Sequence, residues 1–150
     1  EVQALVCQTN FNMPRRATAG TDYNRVNLLM AVIEKRLGVR MGDYDAYINV
    51  AGGMRISEPA LDLGIVAAIL SSYRNQAFDS KTVCFGEVGL TGEIRAVNLA
   101  EQRVMEAAKL GFKRCIMPKA NSQKLNIKES ALNGMQLAGF GSIYELLEVI

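Results

Sequence analysis

The sequence predicts an α/β fold, a mixed sheet with helices packed on it, and three observations carry that prediction. Short apolar runs of strand length, at residues 2–9, 47–51, 82–85 and 113–117, alternate with helix-period segments at 23–37, 59–70 and 98–110. Gly or Pro punctuates the joins between them. The composition, 49% apolar and 21% charged with three Pro, is that of a folded chain rather than a disordered one. At 150 residues the chain is long enough to bury roughly 70% of its unfolded surface. No internal repeat or second boundary interrupts it, so residues 1–150 read as one domain.

Each element has a local reason. Residues 2–9 alternate loosely, with Val2, Leu5, Val6 and Cys7 apolar, as a strand does. Residues 12–20, with Pro14 among them, read as a loop. Thr21 or Asp22 then caps a helix whose apolar positions Tyr23, Val26, Met30, Ile33 and Leu37 recur at three- and four-residue steps, and Gly38 stands just past its end. Its other face, with Arg25, Asn27, Glu34 and Arg36, is expected in solvent. After the strand at 47–51, a Gly-started loop leads to Pro59 at a first helical position. The segment to Leu70 is apolar on every face, so this helix is expected to be central and buried. Asp62 is its single charge, and in the first turn the helix dipole favours a carboxylate, which points to a structural role.

Residues 86–95 look like a turn-rich hairpin after the strand at 82–85, with Gly86, Gly89 and Gly92 as turn glycines. Asn98 with Glu101 three residues on makes a capping box for a helix that runs to Leu110 and stops at Gly111. Residues 113–117 form a strand closed by Pro118, residues 136–138 a short one, and residues 142–149 a final helix.

Several chemistries are excluded at once. The chain has no histidine, so it has no Ser-His-Asp or Cys-His nucleophile and no imidazole metal ligand. Cys7, Cys84 and Cys115 are too few for a four-thiolate zinc site and odd in number, and they read as reduced, mostly buried thiols of a cytosolic protein. Nothing approaches the roughly 18 uninterrupted apolar residues of a membrane span, and no signal peptide opens the chain. It starts on Glu1 directly before a strand, which suggests a piece of a longer protein. A phosphate-cradling Gly-Lys-Ser/Thr loop is absent, and the glycines at 86, 89 and 92 do not open a helix after a strand as a dinucleotide site requires. The acidic pairs Asp43/Asp45 and Glu87/Glu93 have no spacing that marks a site.

Net charge is +2, but the distribution is uneven. Seven of the ten arginines (Arg15, Arg16, Arg25, Arg36, Arg40, Arg55, Arg74) fall in the first half, and six of the seven lysines in the second. Arginine offers a planar bidentate fork for phosphate, so an Arg-rich face is a polyanion candidate, with scattered solvated charge as the plainer alternative.

The stretch Gly86-Glu87-Val88-Gly89-Leu90-Thr91-Gly92-Glu93-Ile94-Arg95, followed by Arg103, Glu106-Ala107-Ala108-Lys109-Leu110-Gly111-Phe112 and Pro118, resembles the carboxy-terminal domain of the RadA (Sms) family. These are bacterial recombination and repair ATPases. Pro14-Arg15-Arg16-Ala17, Asn24-Arg25, the run from Ala31 to Arg36, Asn49-Val50-Ala51-Gly52-Gly53 and Glu58-Pro59-Ala60 fit the same pattern, so the resemblance covers essentially the whole chain.

That resemblance implies a fold like the proteolytic domain of Lon (the ribosomal protein S5 domain 2-like fold), in which a Ser opening the central helix is deprotonated by a Lys. Here the nucleophile position falls on Ala60 or Leu61, and, counting without a gap between Gly92 and Gly111, the Lys position falls on Glu101. Neither half of the dyad is expected to work, although Ser57 lies nearby. The family further implies a zinc module and a RecA-like ATPase outside this chain, with ATP, Mg and Zn bound there and no cofactor here. It also implies hexameric rings that drive branch migration, and partners such as the RecA recombinase. The expected role is therefore a non-catalytic scaffold that touches the DNA backbone through Arg15, Arg16, Arg25 and Arg55. A purely structural assembly module is the alternative, and a peptidase with a displaced dyad at Ser57 is a more remote one.

Overall fold

The computed structural model describes residues 1–52 and 57–150. The chain enters on β1 (Val2–Gln8), and β2 (Arg16–Ala19) leads into α1 (Tyr23–Leu37) and then β3 (Tyr44–Val50). β3 is the middle strand of this sheet, antiparallel to β1 and parallel to β2, so that Ala46 pairs with Val6 on one side and Arg16 on the other. β1 is an edge strand, and its outward Val6 N–H donates to Ser72 Oγ at 2.9 Å. That bond helps to close the edge against further pairing.

A 3-10 turn at Pro59–Leu61 opens α2 (Asp62–Arg74). β4 (Thr82–Cys84) follows, then a hairpin of β5 (Glu87–Val88) and β6 (Ile94–Arg95), α3 (Ala100–Lys109), β7 (Arg114–Pro118), the short α4 (Lys119–Ser122) and β8 (Gln136–Phe140). β4, β7 and β8 make a second, parallel sheet with β7 in the middle. The fold is therefore α/β, with one mixed and one parallel sheet.

Two apolar clusters hold it together. α1 and α2 bury Leu29, Met30, Ile33, Leu63, Ile69 and Leu70 against the first sheet. α3 buries Val104, Ala107 and Ala108 against Phe85, Cys115, Met117 and Met135. β7 serves both clusters because successive side chains face opposite ways, with Ile116 in the first and Cys115 and Met117 in the second. Coverage on both faces is what a parallel sheet requires.

Local capping works as expected at α1. Asp22 accepts from the N–H groups of Asn24 (2.8 Å) and Arg25 (3.4 Å), and Gly38 ends the helix in the left-handed region at φ 66°. Gly20 joins β2 to α1 at φ 78°, where a Cβ would stand 2.4 Å from the Val50 carbonyl oxygen, so both conformation and space call for glycine.

Other expectations are corrected. The stretch at 12–20 is not all loop, because Arg16–Ala19 pairs with β3. The strand expected at 47–51 already begins at Tyr44, and α2 continues past Leu70 to Arg74. Tyr23 is 47% exposed, and Leu29 and Val32 complete the α1 stripe instead. The Asn98/Glu101 capping box does not form. Leu99 takes a left-handed conformation (φ 58°) at the cap, the Asn98 side chain accepts from Arg103, and Glu101 accepts from the Asn126 N–H at 2.9 Å. The last element is a 3-10 helix, Ile143–Glu148, and it is this one that carries a full capping box, from Ser142 and Glu145. Cys7 is exposed rather than buried, being on the open face of β1. The Gly-started loop expected after Ala51 lies mostly at 53–56, outside the described residues, and Arg55 with it.

Candidate functional site

The amino end of α2 is where chemistry converges. Leu63 N–H donates to the Gly86 carbonyl (3.0 Å) and Gly86 N–H to the Ala60 carbonyl (2.9 Å), which ties the helix entrance to the start of the hairpin. A Cβ on Gly86 would come within 2.9 Å of Ile94 Cγ2, so the approach is a close one.

The Asp62 carboxylate sits at this junction and the residue is 1% exposed. A charge so placed needs partners, and it has several. Arg25 from α1 reaches it in a two-pronged ion pair, Nε to Oδ1 at 3.0 Å and Nη2 to Oδ2. Val88 N–H donates to Oδ2 at 3.0 Å, and Arg25 Nη2 also donates to the Val88 carbonyl at 3.1 Å. Three elements, α1, α2 and β5, are thereby closed in one polar triangle. Its bond to Asp62 is the main cause that pushes the Arg25 pKa above the ordinary guanidinium value, against partial burial that acts the other way. The α2 dipole adds to the attraction on the carboxylate.

Above the triangle lies a cleft of about 180 Å³ whose lining includes Asp22, Arg25, Ser57, Glu58, Leu61 and Glu87. Arg103 from α3 reaches its rim, pairing with Glu58 while its Nε donates to the Asn98 carbonyl at 3.0 Å and its guanidinium lies 5.8 Å from the Phe85 ring centre. Among the described residues the ion pairs are these two, Arg25–Asp62 and Arg103–Glu58. No group of three or more His, Cys, Asp or Glu stands together there as a metal site would require. Burial pushes the thiols of Cys84 and Cys115 up to about 12, so both are neutral and unreactive at physiological pH. Among the described residues no helix is long and apolar enough to cross a membrane.

The chain is 50% identical over 149 residues to the DNA repair protein RadA of Halalkalibacterium halodurans, covering 99% of this chain and 32% of that protein. It is 56% identical over 121 residues to RadA of Bacillus subtilis, covering 81% of this chain and 26% of that one. With RadA of Listeria monocytogenes the figures are 47% over 148 residues, 99% and 32%. A family model described as subunit ChlI of Mg-chelatase matches residues 10–121. The chain belongs to the ChlI family and is RadA-like. It spans about a third of the length of the curated relatives it matches.

In this RadA-like chain the two positions taken from the Lon dyad do not meet in the cleft. Ala60 is buried with its carbonyl bonded to Gly86, and Leu61 half-lines the cleft. Glu101 is on the exposed first turn of α3 and absent from the cleft lining, whose side chains are carboxylates, hydroxyls, apolar groups and Arg25. Ser57 is exposed at the cleft with no lysine among the lining residues.

The arginines singled out in the sequence are dispersed. Arg15 is exposed, its guanidinium 3.9 Å over the Phe11 ring while its backbone N–H donates to Asp45 Oδ1 at 2.6 Å. Arg16 donates to the Met41 carbonyl at 2.7 Å and the Tyr44 carbonyl at 3.4 Å. Arg25, expected in solvent, turns inward instead, and Arg36, half-buried, donates to the Leu90 carbonyl at 3.2 Å on the surface. Arg74 likewise bonds the carbonyls of Leu147 and Ile150. Much of the first-half arginine excess therefore goes into joining elements of the fold. One signal could have located the triangle: a lone carboxylate in a helix apolar on every face requires a cation, and α1 offers Arg25 in its first turn.

Proposed function

We propose that this chain is the Lon-like, non-catalytic scaffold of a RadA-type DNA repair ATPase, and that it contacts the DNA backbone. The observation that carries the reading is the amino end of α2. Where the Lon fold opens its nucleophile, Ala60 is sealed against Gly86, and Asp62 is locked to Arg25 and Val88. Such a junction braces three elements, and neither Ala60 nor Leu61 carries a hydroxyl.

In this reading the chain is one Lon-like domain within a longer cytoplasmic protein whose zinc module and RecA-like ATPase bind Zn, ATP and Mg, while the domain itself takes no cofactor. Copies stand side by side in a hexameric ring, and recombination proteins such as the RecA recombinase are partners. The first-half contacts to phosphate are Arg15, exposed and outside any ion pair among the described residues, and Arg16, which has guanidinium donors left over. Arg25 stands at the cleft rim, and Arg55, the fourth candidate, is outside the described residues. A second reading, assembly without DNA contact, is favoured by the open face of the first sheet, where Leu5, Tyr47, Ala17 and Ala19 carry no charge.

Fluorescence anisotropy on two unrelated duplexes across a salt series tests the main reading. About four neutralised phosphates give log K falling with log salt at a slope near −4, equal on both duplexes. A slope near zero leaves the assembly reading standing. Labelling by a fluorophosphonate probe that is lost in Ser57→Ala would overturn the non-catalytic assignment.

A further inference from the structure

The second half of the chain brings a different set of cations together. Lys113 N–H donates to the Lys81 carbonyl at 2.8 Å and Arg114 N–H to the same oxygen at 3.2 Å, so three basic residues meet where β4 and β7 begin, although Lys81 lies far from the other two in sequence. Neighbouring strands are about 4.8 Å apart. Thr82 and Arg114 form the first rung of the ladder, and Lys81 and Lys113 stand immediately before it. α3 ends at Lys109 on this same end, because its last turn runs through Gly111 and Phe112 directly into β7.

Lys81, Lys109 and Lys113 are exposed and Arg114 half-buried. None of the four belongs to an ion pair among the described residues. Carboxylates stand near by without forming an ion pair with any of the four among the described residues. Asp79 is engaged by the Lys81 N–H at 2.9 Å and the Thr82 hydroxyl at 3.3 Å, and Glu106 lies one turn before Lys109. The contrast with Arg25, Arg36 and Arg74, whose guanidinium groups bond carbonyls and Asp62, is direct.

We infer that the amino end of the β4-β7-β8 sheet, through Lys81, Lys113 and Arg114 with Lys109 beside them, is a surface that binds the phosphodiester backbone of nucleic acid. Three basic side chains on adjacent strands, outside any ion pair among the described residues, meet a duplex that carries one phosphate charge per about 3.4 Å of helix axis on each strand, and they carry no base-reading geometry. Gln136, paired with Arg114 at the start of β8, extends the surface with an uncharged amide. This rests on the DNA-contact reading above and moves its main anchor from the first-half arginines to the second sheet.

The test uses the 150-residue chain, a fluorescent duplex and a labelled poly-glutamate of equal charge. Three variants are compared with wild type over a salt series: Lys81→Gln with Lys113→Gln and Arg114→Gln; the conservative Lys81→Arg with Lys113→Arg; and Arg15→Ala with Arg16→Ala. Circular dichroism checks that each variant is folded. The expected result is that the triple variant loses at least tenfold in affinity and that its salt slope shrinks by about 2 to 3, at roughly 0.9 per lost contact. The Lys-to-Arg variant binds like wild type.

Wild type that binds while the folded triple variant matches it in slope and affinity overturns this inference and leaves the DNA-contact reading intact. Wild type that fails to bind duplex even at low salt overturns both. Tighter binding of poly-glutamate than of duplex overturns the nucleic-acid assignment in favour of an acidic protein partner.

Discussion

Replacing Arg25 by Met removes the cation that faces Asp62 and keeps much of the side-chain volume. The carboxylate left behind, on a side chain only 2% exposed, would keep a single backbone donor, Val88 N–H, and the α2 dipole. Breaking a buried pair from one side costs about 3–5 kcal/mol. The Arg25 side chain is 32% exposed, so water reaches the vacated position and the expected loss falls to about 2–3 kcal/mol. In a chain of this size that is a fall of roughly 5–10 °C in Tm.

Adding Asp62→Leu removes the stranded charge as well. The double variant should then be no less stable than Arg25→Met alone, since an apolar pair commonly replaces a buried ion pair at little cost, with the Val88 N–H left unpaired at about 1–3 kcal/mol as the opposing effect. Urea titration monitored by circular dichroism reads both, with the slope m showing whether the denatured state has changed. A loss below about 0.5 kcal/mol in Arg25→Met would refute the claim that the triangle braces α1, α2 and β5. Losses in the two single variants that simply add in the double would refute the coupling between them.

Three further outcomes follow from the same geometry. Gly20→Ala, with φ 78° and a Cβ 2.4 Å from the Val50 carbonyl, should cost about 2–4 kcal/mol, whereas Gly38→Ala, where nothing lies within 4 Å, should cost only about 1 kcal/mol from its positive φ; paired thermal melts compare them. At pH 8, iodoacetamide should label Cys7 first in the folded protein, since burial pushes the thiols of Cys84 and Cys115 up to about 12, and mass spectrometry that finds Cys115 modified as fast as Cys7 without denaturant would contradict its enclosure. Ser142→Ala removes the acceptor for Tyr144 N–H in the capping box of the last 3-10 helix, so urea unfolding should show a loss of about 1 kcal/mol.

The sequence alone determined the features whose causes lie within a turn or two of chain. α1 was readable because Asp22 and Gly38 cap it locally around an apolar stripe, and α2 because a segment apolar on every face has only the interior to occupy. The hairpin followed from its glycines, and the relationship to RadA from the order of motifs around it. The tertiary structure decided whatever depends on a distant partner. β2 carries no large apolar residue and is a strand only because β3 offers it a ladder. Arg25 and Arg36 lie on the helix face that periodicity assigns to solvent, yet Arg25 turns inward to Asp62 and Arg36 bonds the Leu90 carbonyl, partners that come within reach only across the fold.

The Asn98/Glu101 pair has the spacing of a capping box, yet Arg103 and the Asn126 N–H compete for those same side chains. Lys81 and Lys113 become neighbours only when β4 and β7 pair in parallel. Local signals depend on torsions and hydrogen bonds that a few residues settle among themselves. A buried charge or a basic cluster is settled by which surfaces the apolar clusters bring together, and that choice belongs to the whole chain.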